Sequence, residues 1–434
     1  MSLSAWASVV AASLLLSSSY AVPILQSDHG KTHRIPVSGS PVGGIAAVNK
    51  MYNKYNIPAS QGFIDALGQG NEVTAEQKDT KTGDNDVTSA PAGGHGNGAG
   101  QVVGTLANDN AEYLCPVKIG SQTFNMVLDT GSSDLWVFNS LLPEEYKGNH
   151  TIYDPAQSAS HTSVNGYTFK VEYGDNSTTN GDVGTDTVII AGVTVPYQPI
   201  ELPSSFNNDI AQTLDDPSDG IVGLGFQKYN SIIGPDGKAD PRPTWFENAK
   251  SALVAGVFTA NLKKGAAGYF NFGSVDATAA KGDITYTPID ISSGFWQVQS
   301  ASYKIGDGEA IQYTKGKVDT IADSGSSVLL LQSEVVRAFY SGVKGVNETA
   351  LESTGQYYIP CDSALPDLTL ALGDYSATMK GGSLMYSPQL PGMCMGGVQT
   401  NQDSGLQILG DIFFQSFFVV FDYDNARIGF APHA

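Results

Sequence analysis

The sequence predicts an all-β protein of two similar lobes, with one functional site where they meet. Three observations predict it. From Thr105 onward, β-branched and aromatic runs such as Tyr167-Thr168-Phe169-Lys170-Val171-Glu172-Tyr173 and Thr187-Val188-Ile189-Ile190 alternate with Gly, Asn and Asp turns. The segment Asp129-Thr130-Gly131-Ser132-Ser133, entered from Met126-Val127-Leu128, recurs as Asp323-Ser324-Gly325-Ser326-Ser327, entered from Thr320-Ile321-Ala322. Each copy is followed at a similar distance by an apolar-apolar-Gly step, Ile221-Val222-Gly223 and Ile408-Leu409-Gly410. One Asp-Gly turn is ordinary turn chemistry. Two features recurring in the same order read as an internal duplication, and paired lobes place their site at the junction.

Residues 1–21 carry an apolar stretch, Val9 to Leu16, and a small-x-small end at Ser19-Tyr20-Ala21, which reads as a cleaved secretory signal too short to span a membrane. Lys and Arg are missing from its start, where such signals usually carry them. Residues 22–100 read as a prosegment and flexible linker. Between Val22 and Ser60, Lys31, Arg34, Lys50 and Lys54 stand against Asp28 alone, ahead of an acidic body, which suits a lid held by charge and released by acid. Pro91-Ala92-Gly93-Gly94-His95-Gly96-Asn97-Gly98 ends a polar tether without a dibasic pair, so self-cleavage in acid is expected. The first lobe is expected at 101–280 and the second at 281–434. Turns are expected at Asn165-Gly166 and Asn180-Gly181, and a helix at Ser333–Tyr340.

The chain of 434 residues is 41% hydrophobic, enough for two cores. Its 23 basic residues face 43 acidic ones, which argues against nucleic acid as a partner and suits work in acid, where self-repulsion falls. No metal-ligand spacing appears among the six His, and no cofactor is expected. No later segment is apolar enough to cross a membrane and the C-terminus lacks a lipid-anchor tail, so a soluble monomer is expected. A buried strand ending on Asp and a Gly-containing turn holds a carboxylate in a semi-apolar place. Two such carboxylates side by side cannot both ionise cheaply, so an acid and a base coexist, which fits activation of water against a peptide bond. Gly131 and Gly325 allow close backbone approach, and the Ser132 and Ser326 hydroxyls can fix the outer carboxylate oxygens.

From Glu112 to the C-terminus the chain resembles pepsin-type aspartic endopeptidases, in particular secreted fungal ones. The residues that carry the resemblance are Phe124 to Trp136, Tyr173-Gly174-Asp175, Asp219 to Gly225, Ile408 to Asp411, Phe421-Asp422-Tyr423-Asp424 and Arg427 to Ala431. The resemblance implies a bilobal pepsin-like fold of two pseudo-twofold-related β-barrel lobes, with the cleft between them. Asp129 and Asp323 would be the catalytic dyad, and Thr130 and Ser324 would hydrogen-bond across the axis. Tyr173-Gly174-Asp175 would be the tip of a flap over bound peptide, with Trp136 as its hydrogen-bond neighbour. Lys54-Tyr55 resembles the Lys-Tyr step that family zymogens set against the dyad, making Lys54 the blocking cation and the prosegment an intramolecular inhibitor. Polypeptides are the implied substrates and pepstatin-like compounds the implied inhibitors.

The family commonly has one bridge in its second lobe, which supports pairing Cys361 with Cys394, against the alternative of two buried thiols; Cys115 then reads as an inert core residue. Fungal relatives with Asp at the position of Asp175 accept Lys, beside bulky apolar residues, on the amino side of the cut. Asn149 and Asn347 head glycosylation sequons; Asn176 heads a third, which a glycan would turn into an obstruction of the cleft, so it is expected unmodified. Secretion is the expected location, with the vacuole as the alternative. Two rival readings are a glycosidase, which explains two Asp residues but not their duplicated setting, and a binding protein that has lost catalysis, although both Asp turns are intact.

Overall fold

The computed structural model describes residues 43–64, 98–107, 112–172, 178–206, 217–390 and 392–434. The expected signal segment lies outside them, as do most of the linker and the expected flap tip with Asn176. The all-β expectation holds: among the described residues, strands form one fourteen-stranded sheet, one of eight and one of three.

The duplication is visible as two copies of one strand arrangement. In the first half, strand Gln122–Asp129 runs parallel to Gly220–Gly223, pairing Val127 with Ile221 and Asp129 with Gly223. Strand Leu135–Val137 then returns antiparallel on Gly220–Gly223. In the second half, Val318–Ala322 runs parallel to Leu406–Leu409, and Leu329–Leu331 returns antiparallel on it. Each apolar-apolar-Gly step is thus the strand wedged between the entry to an Asp turn and its exit. Strands covered on both faces must be apolar without interruption, and Val222, Leu329, Leu330, Ile408 and Leu409 are fully buried.

A common floor joins the halves. Val257–Lys263 pairs with Ala266–Phe272 on one side and with Phe417–Asp422, from the far end of the chain, on the other. Phe258, Phe272, Phe421 and Trp296 pack there, with Phe258 and Phe421 stacked at 4.5 Å. Aromatic area of this size dominates core stability, so the floor is a rigid base for both Asp turns.

The helix Ser333–Tyr340 forms as expected. The two expected turns do not. Asn165-Gly166 lies inside strand Thr162–Glu172, where the register slips between Ser163 and Thr168 and Gly166 takes φ +80°. Asn180-Gly181 lies inside strand Thr178–Ile190, at a register shift against Val193–Phe206. Both are bulges within long strands, where Gly relieves the local crowding. The structure also has a helix that the pattern did not announce, Gly43–Lys54. It buries Val48, Met51 and Tyr52, spaced for one helical face, and Tyr52 Oη donates to Thr400 O at 2.8 Å. Pro58 follows where the helix has ended.

Candidate active site

Strand Gln122–Asp129 ends on Asp129, and Asp323 directly follows Val318–Ala322, so both carboxyls sit where a buried strand breaks into a turn. Asp129 is 3% exposed and Asp323 is fully buried. Each is gripped alike. Gly131 N donates to Asp129 Oδ1 at 2.8 Å and Ser132 Oγ to Oδ2 at 2.5 Å. Gly325 N donates to Asp323 Oδ1 at 2.9 Å and Ser326 Oγ to Oδ2. A Cβ on Gly131 would collide with the Asp323 carboxyl, and one on Gly325 with that of Asp129, so the missing side chains are what let the two turns face each other.

Thr130 and Ser324 knit the turns together. Thr130 Oγ1 donates to Ala322 O at 2.8 Å and accepts from Ser324 N at 3.0 Å. Ser324 Oγ donates to Leu128 O at 2.6 Å and accepts from Thr130 N at 3.2 Å. All four groups are buried, where satisfied networks fix geometry and unsatisfied ones are costly.

The N-terminal helix ends inside this site. Lys54 Nζ donates to Asp129 Oδ1 at 2.7 Å and to Asp323 Oδ1 and Oδ2 at 2.8 and 2.9 Å. Tyr55 Oη donates to Asp323 Oδ2 at 2.6 Å. Burial alone would raise both carboxyls. At Asp323 the Lys54 charge and the hydrogen bonds from Asp129, Lys54 and Ser326 outweigh it and hold the group below the usual carboxylate range. At Asp129 burial, aided by the Asp323 charge, prevails over Lys54 and keeps the group above it. Burial works to lower Lys54, but the charges of Asp129 and Asp323 raise it, so the ammonium stays protonated.

Sequence reasoning set the Lys54-Tyr55 step against the two Asp residues and counted Lys50 only in the basic strip, and it gave no role to Glu112 or Asp411. Lys50, one helical turn before Lys54, donates to Glu112 Oε1 at 2.6 Å. Asp411 is buried behind it with Oδ1 unpartnered, and burial, then the charges of Glu112 and Asp323, push it well above the usual range. The available signals were the four-residue spacing of the lysines and the Asp that closes Ile408-Leu409-Gly410-Asp411.

Trp136 is half-buried against Phe138 and Phe206, at 5.4 and 5.9 Å between ring centroids. Its expected neighbours Tyr173, Gly174 and Asp175 lie outside the described residues. Cys361 and Cys394 are joined in a disulfide, and Cys115 is a fully buried free thiol raised by burial. Asn149 is exposed. Asn347 caps helix Glu348–Thr354 through Oδ1, which accepts from Ala350 N at 3.0 Å.

The family model for eukaryotic aspartyl proteases matches residues 112–433. The chain is 38% identical to "Aspartic protease PEP3" of Coccidioides posadasii over 399 residues, covering 90% of this chain and 86% of that protein. It is 39% identical to "Aspergillopepsin-1" of Aspergillus oryzae over 350 residues, 80% of this chain and 82% of that one. It is 38% identical to "Penicillopepsin-3" of Penicillium janthinellum over 335 residues, 77% and 81% of the two chains.

Proposed function

We propose that this chain, which belongs to the eukaryotic aspartyl protease family and is an aspartic-type endopeptidase, is made as a secreted zymogen and cuts peptide bonds in acid with Asp129 and Asp323. The observation that carries this is the single ammonium of Lys54 bonded to both buried carboxyls. A site that can hold one cation between two carboxylates can, once the cation leaves, hold a water between one carboxylate and one carboxylic acid.

In that state the ionised Asp takes a proton from water as the oxygen attacks the scissile carbonyl. The neutral Asp donates to the developing oxyanion, and a proton then reaches the leaving amine. The Thr130 and Ser324 network keeps the two carboxyls in register, and Ser132 and Ser326 fix their outer oxygens. Residues 1–21 serve as signal and 22–100 as prosegment and linker, with lobes at 101–280 and 281–434. Tyr173, Gly174 and Asp175 close over substrate beside Trp136. Bulky apolar residues, and Lys through Asp175, are the side chains accepted before the cut. Asn149 and Asn347 carry glycans; capping through Oδ1 leaves Nδ2 of Asn347 free for the sugar. The product acts outside the cell, with the vacuole as the alternative.

The test is proteolysis of denatured haemoglobin across acidic pH by secreted protein, with and without pepstatin, beside Asp129→Asn. Acid-dependent cleavage that pepstatin blocks and the variant lacks is expected. Intact haemoglobin after the prosegment has been removed would overturn the reading and favour a binding protein.

A further inference from the structure

Two more carboxyls meet in the first half, away from the dyad. Asp134 immediately follows the Asp129 turn, and Glu201 lies in strand Val193–Phe206, in register with Trp136. Asn230 Nδ2 donates to Asp134 Oδ1 at 2.8 Å and to Glu201 Oε1 at 3.0 Å, so one amide ties both side chains. Ser231 N adds a bond to Asp134 Oδ1 at 2.7 Å. Glu201 is 1% exposed, and its Oε2 is buried without an N–H or O–H donor. The ionisable group that faces Glu201 is the Asp134 carboxyl.

No cation answers these acids among the described residues. Arg242 donates its backbone N to Asn230, but its guanidinium goes to Asp240 and Tyr167. Lys228, on the turn before Asn230, donates to the carbonyls of Ser292 and Ser293. From strand Thr178–Ile190 Val183 sits opposite Glu201, and Asp182 is exposed on the other face. The neighbouring strands Leu135–Val137 and Gly220–Gly223 contribute no titratable side chain. Two carboxyls attract only when one of them carries a proton; both ionised, they repel in a poorly solvated place.

We propose that Asp134 and Glu201 share one proton as a carboxyl–carboxylate pair, a pH-sensitive pin between the strand leaving the Asp129 turn and strand Val193–Phe206. Burial, then the Asp134 charge, holds Glu201 well above the usual carboxylate range, and burial raises Asp134 despite its donors. For carboxyls raised in this way, the stability they lend is fully present below the unfolded value and is lost as pH rises through the folded one. Val193–Phe206 pairs along most of Thr178–Ile190, so loosening the pin loosens that hairpin and the turn holding Asp129 together. The device differs from Lys54 in needing no N-terminal segment. It therefore persists in the processed enzyme and confines its folded first half to acid.

Full chain and acid-processed enzyme, as wild type, Glu201→Gln and Asp134→Asn, are held at graded pH from acid to mildly alkaline. Circular dichroism and recovered peptidase activity are then read. Either amide supplies permanently the hydrogen that the shared proton supplies only in acid. Both variants are expected to move the pH of half-unfolding up by about one unit or more, with the acid activity profile unchanged. An unshifted or lowered transition in variants that are folded in acid overturns the proposal. Because circular dichroism reads the fold, the position of the transition does not depend on the catalytic assignment. Should neither variant fold, wild type carrying carboxyl-labelled glutamate decides by infrared spectroscopy. A protonated glutamate band persisting above the pH at which exposed glutamates ionise is expected, and its absence overturns the pair.

Discussion

Removing the Lys54 ammonium should make the precursor leak activity. The cation is only 14% exposed and bonds both carboxyls at 2.7 and 2.8 Å, so the pair is nearly free of solvent screening. Stripping one partner from a buried ion pair costs about 3–5 kcal/mol. Lys54→Ala should fall at the lower end, because Asp129 is already held above its usual range and can take up a proton in compensation. About 3 kcal/mol is a factor of about 100 in the ratio of docked to undocked segment. Asp323 sets the pH window. Its value is depressed when folded, so its stabilising share is present above the unfolded value and lost as pH falls through the folded one. Wild type is therefore expected to be latent near neutrality and the variant not. The assay is initial cleavage of a fluorogenic peptide from weakly acidic to neutral pH, with mass spectrometry showing that the precursor is intact. Leakage about a hundredfold above wild type is expected, abolished by adding Asp129→Asn. Latency equal to wild type in an intact Lys54→Ala precursor would refute the reasoning.

Thr130→Val removes the donor to Ala322 O and the acceptor for Ser324 N, leaving two buried backbone groups unpaired. The expected loss is about 2–4 kcal/mol of stability and a fall in kcat with KM little changed, measured by urea unfolding and steady-state kinetics; Ser324→Ala added to it should cost less than the sum, since the two share one network. Replacing Cys361 and Cys394 together by Ser opens a loop with a sequence separation of 33. This should cost about 3–4 kcal/mol through unfolded-chain entropy, read as a lower urea midpoint with kcat retained in native buffer. Asp175→Ala should abolish cleavage after Lys in a trypsinogen-like peptide while sparing cleavage after Phe; equal loss on both substrates argues against the selectivity assignment.

The paired Asp turns were legible because their surroundings are written locally. A strand buried on both faces must be an unbroken apolar run, so Met126-Val127-Leu128 and Ile221-Val222-Gly223 announce themselves and their partners in the second half. The helix Ser333–Tyr340 was legible for the same reason, with apolar residues at helical spacing. Asn165-Gly166 and Asn180-Gly181 misled because Gly is used equally by a turn and by a bulge, and which of them forms depends on distant pairing strands. The acid clusters were invisible for a related reason. Lys50 and Glu112 are 62 residues apart, and Asp134 looks like the tail of the Asp-turn motif until Glu201 is brought beside it.

Charge then separates three acid clusters by what neutralises them. Asp129 with Asp323 receives Lys54. Glu112, in front of Asp411, receives Lys50 through a pair whose lysine side chain is 39% exposed and therefore open to screening. Both cations come from one helix at i, i+4, so losing the outer pair would loosen the same helix that carries Lys54 into the inner one. The inner pair alone resists acid, since Asp323 is depressed; the outer pair lacks that enclosure and gives the helix a place to start leaving. Asp134 with Glu201 receives no cation among the described residues, which leaves a proton to neutralise it. Acid thus acts in opposite directions on the two kinds of cluster. On the proposed reading it weakens what holds the N-terminal helix in the site and supplies what holds the first half of the enzyme together.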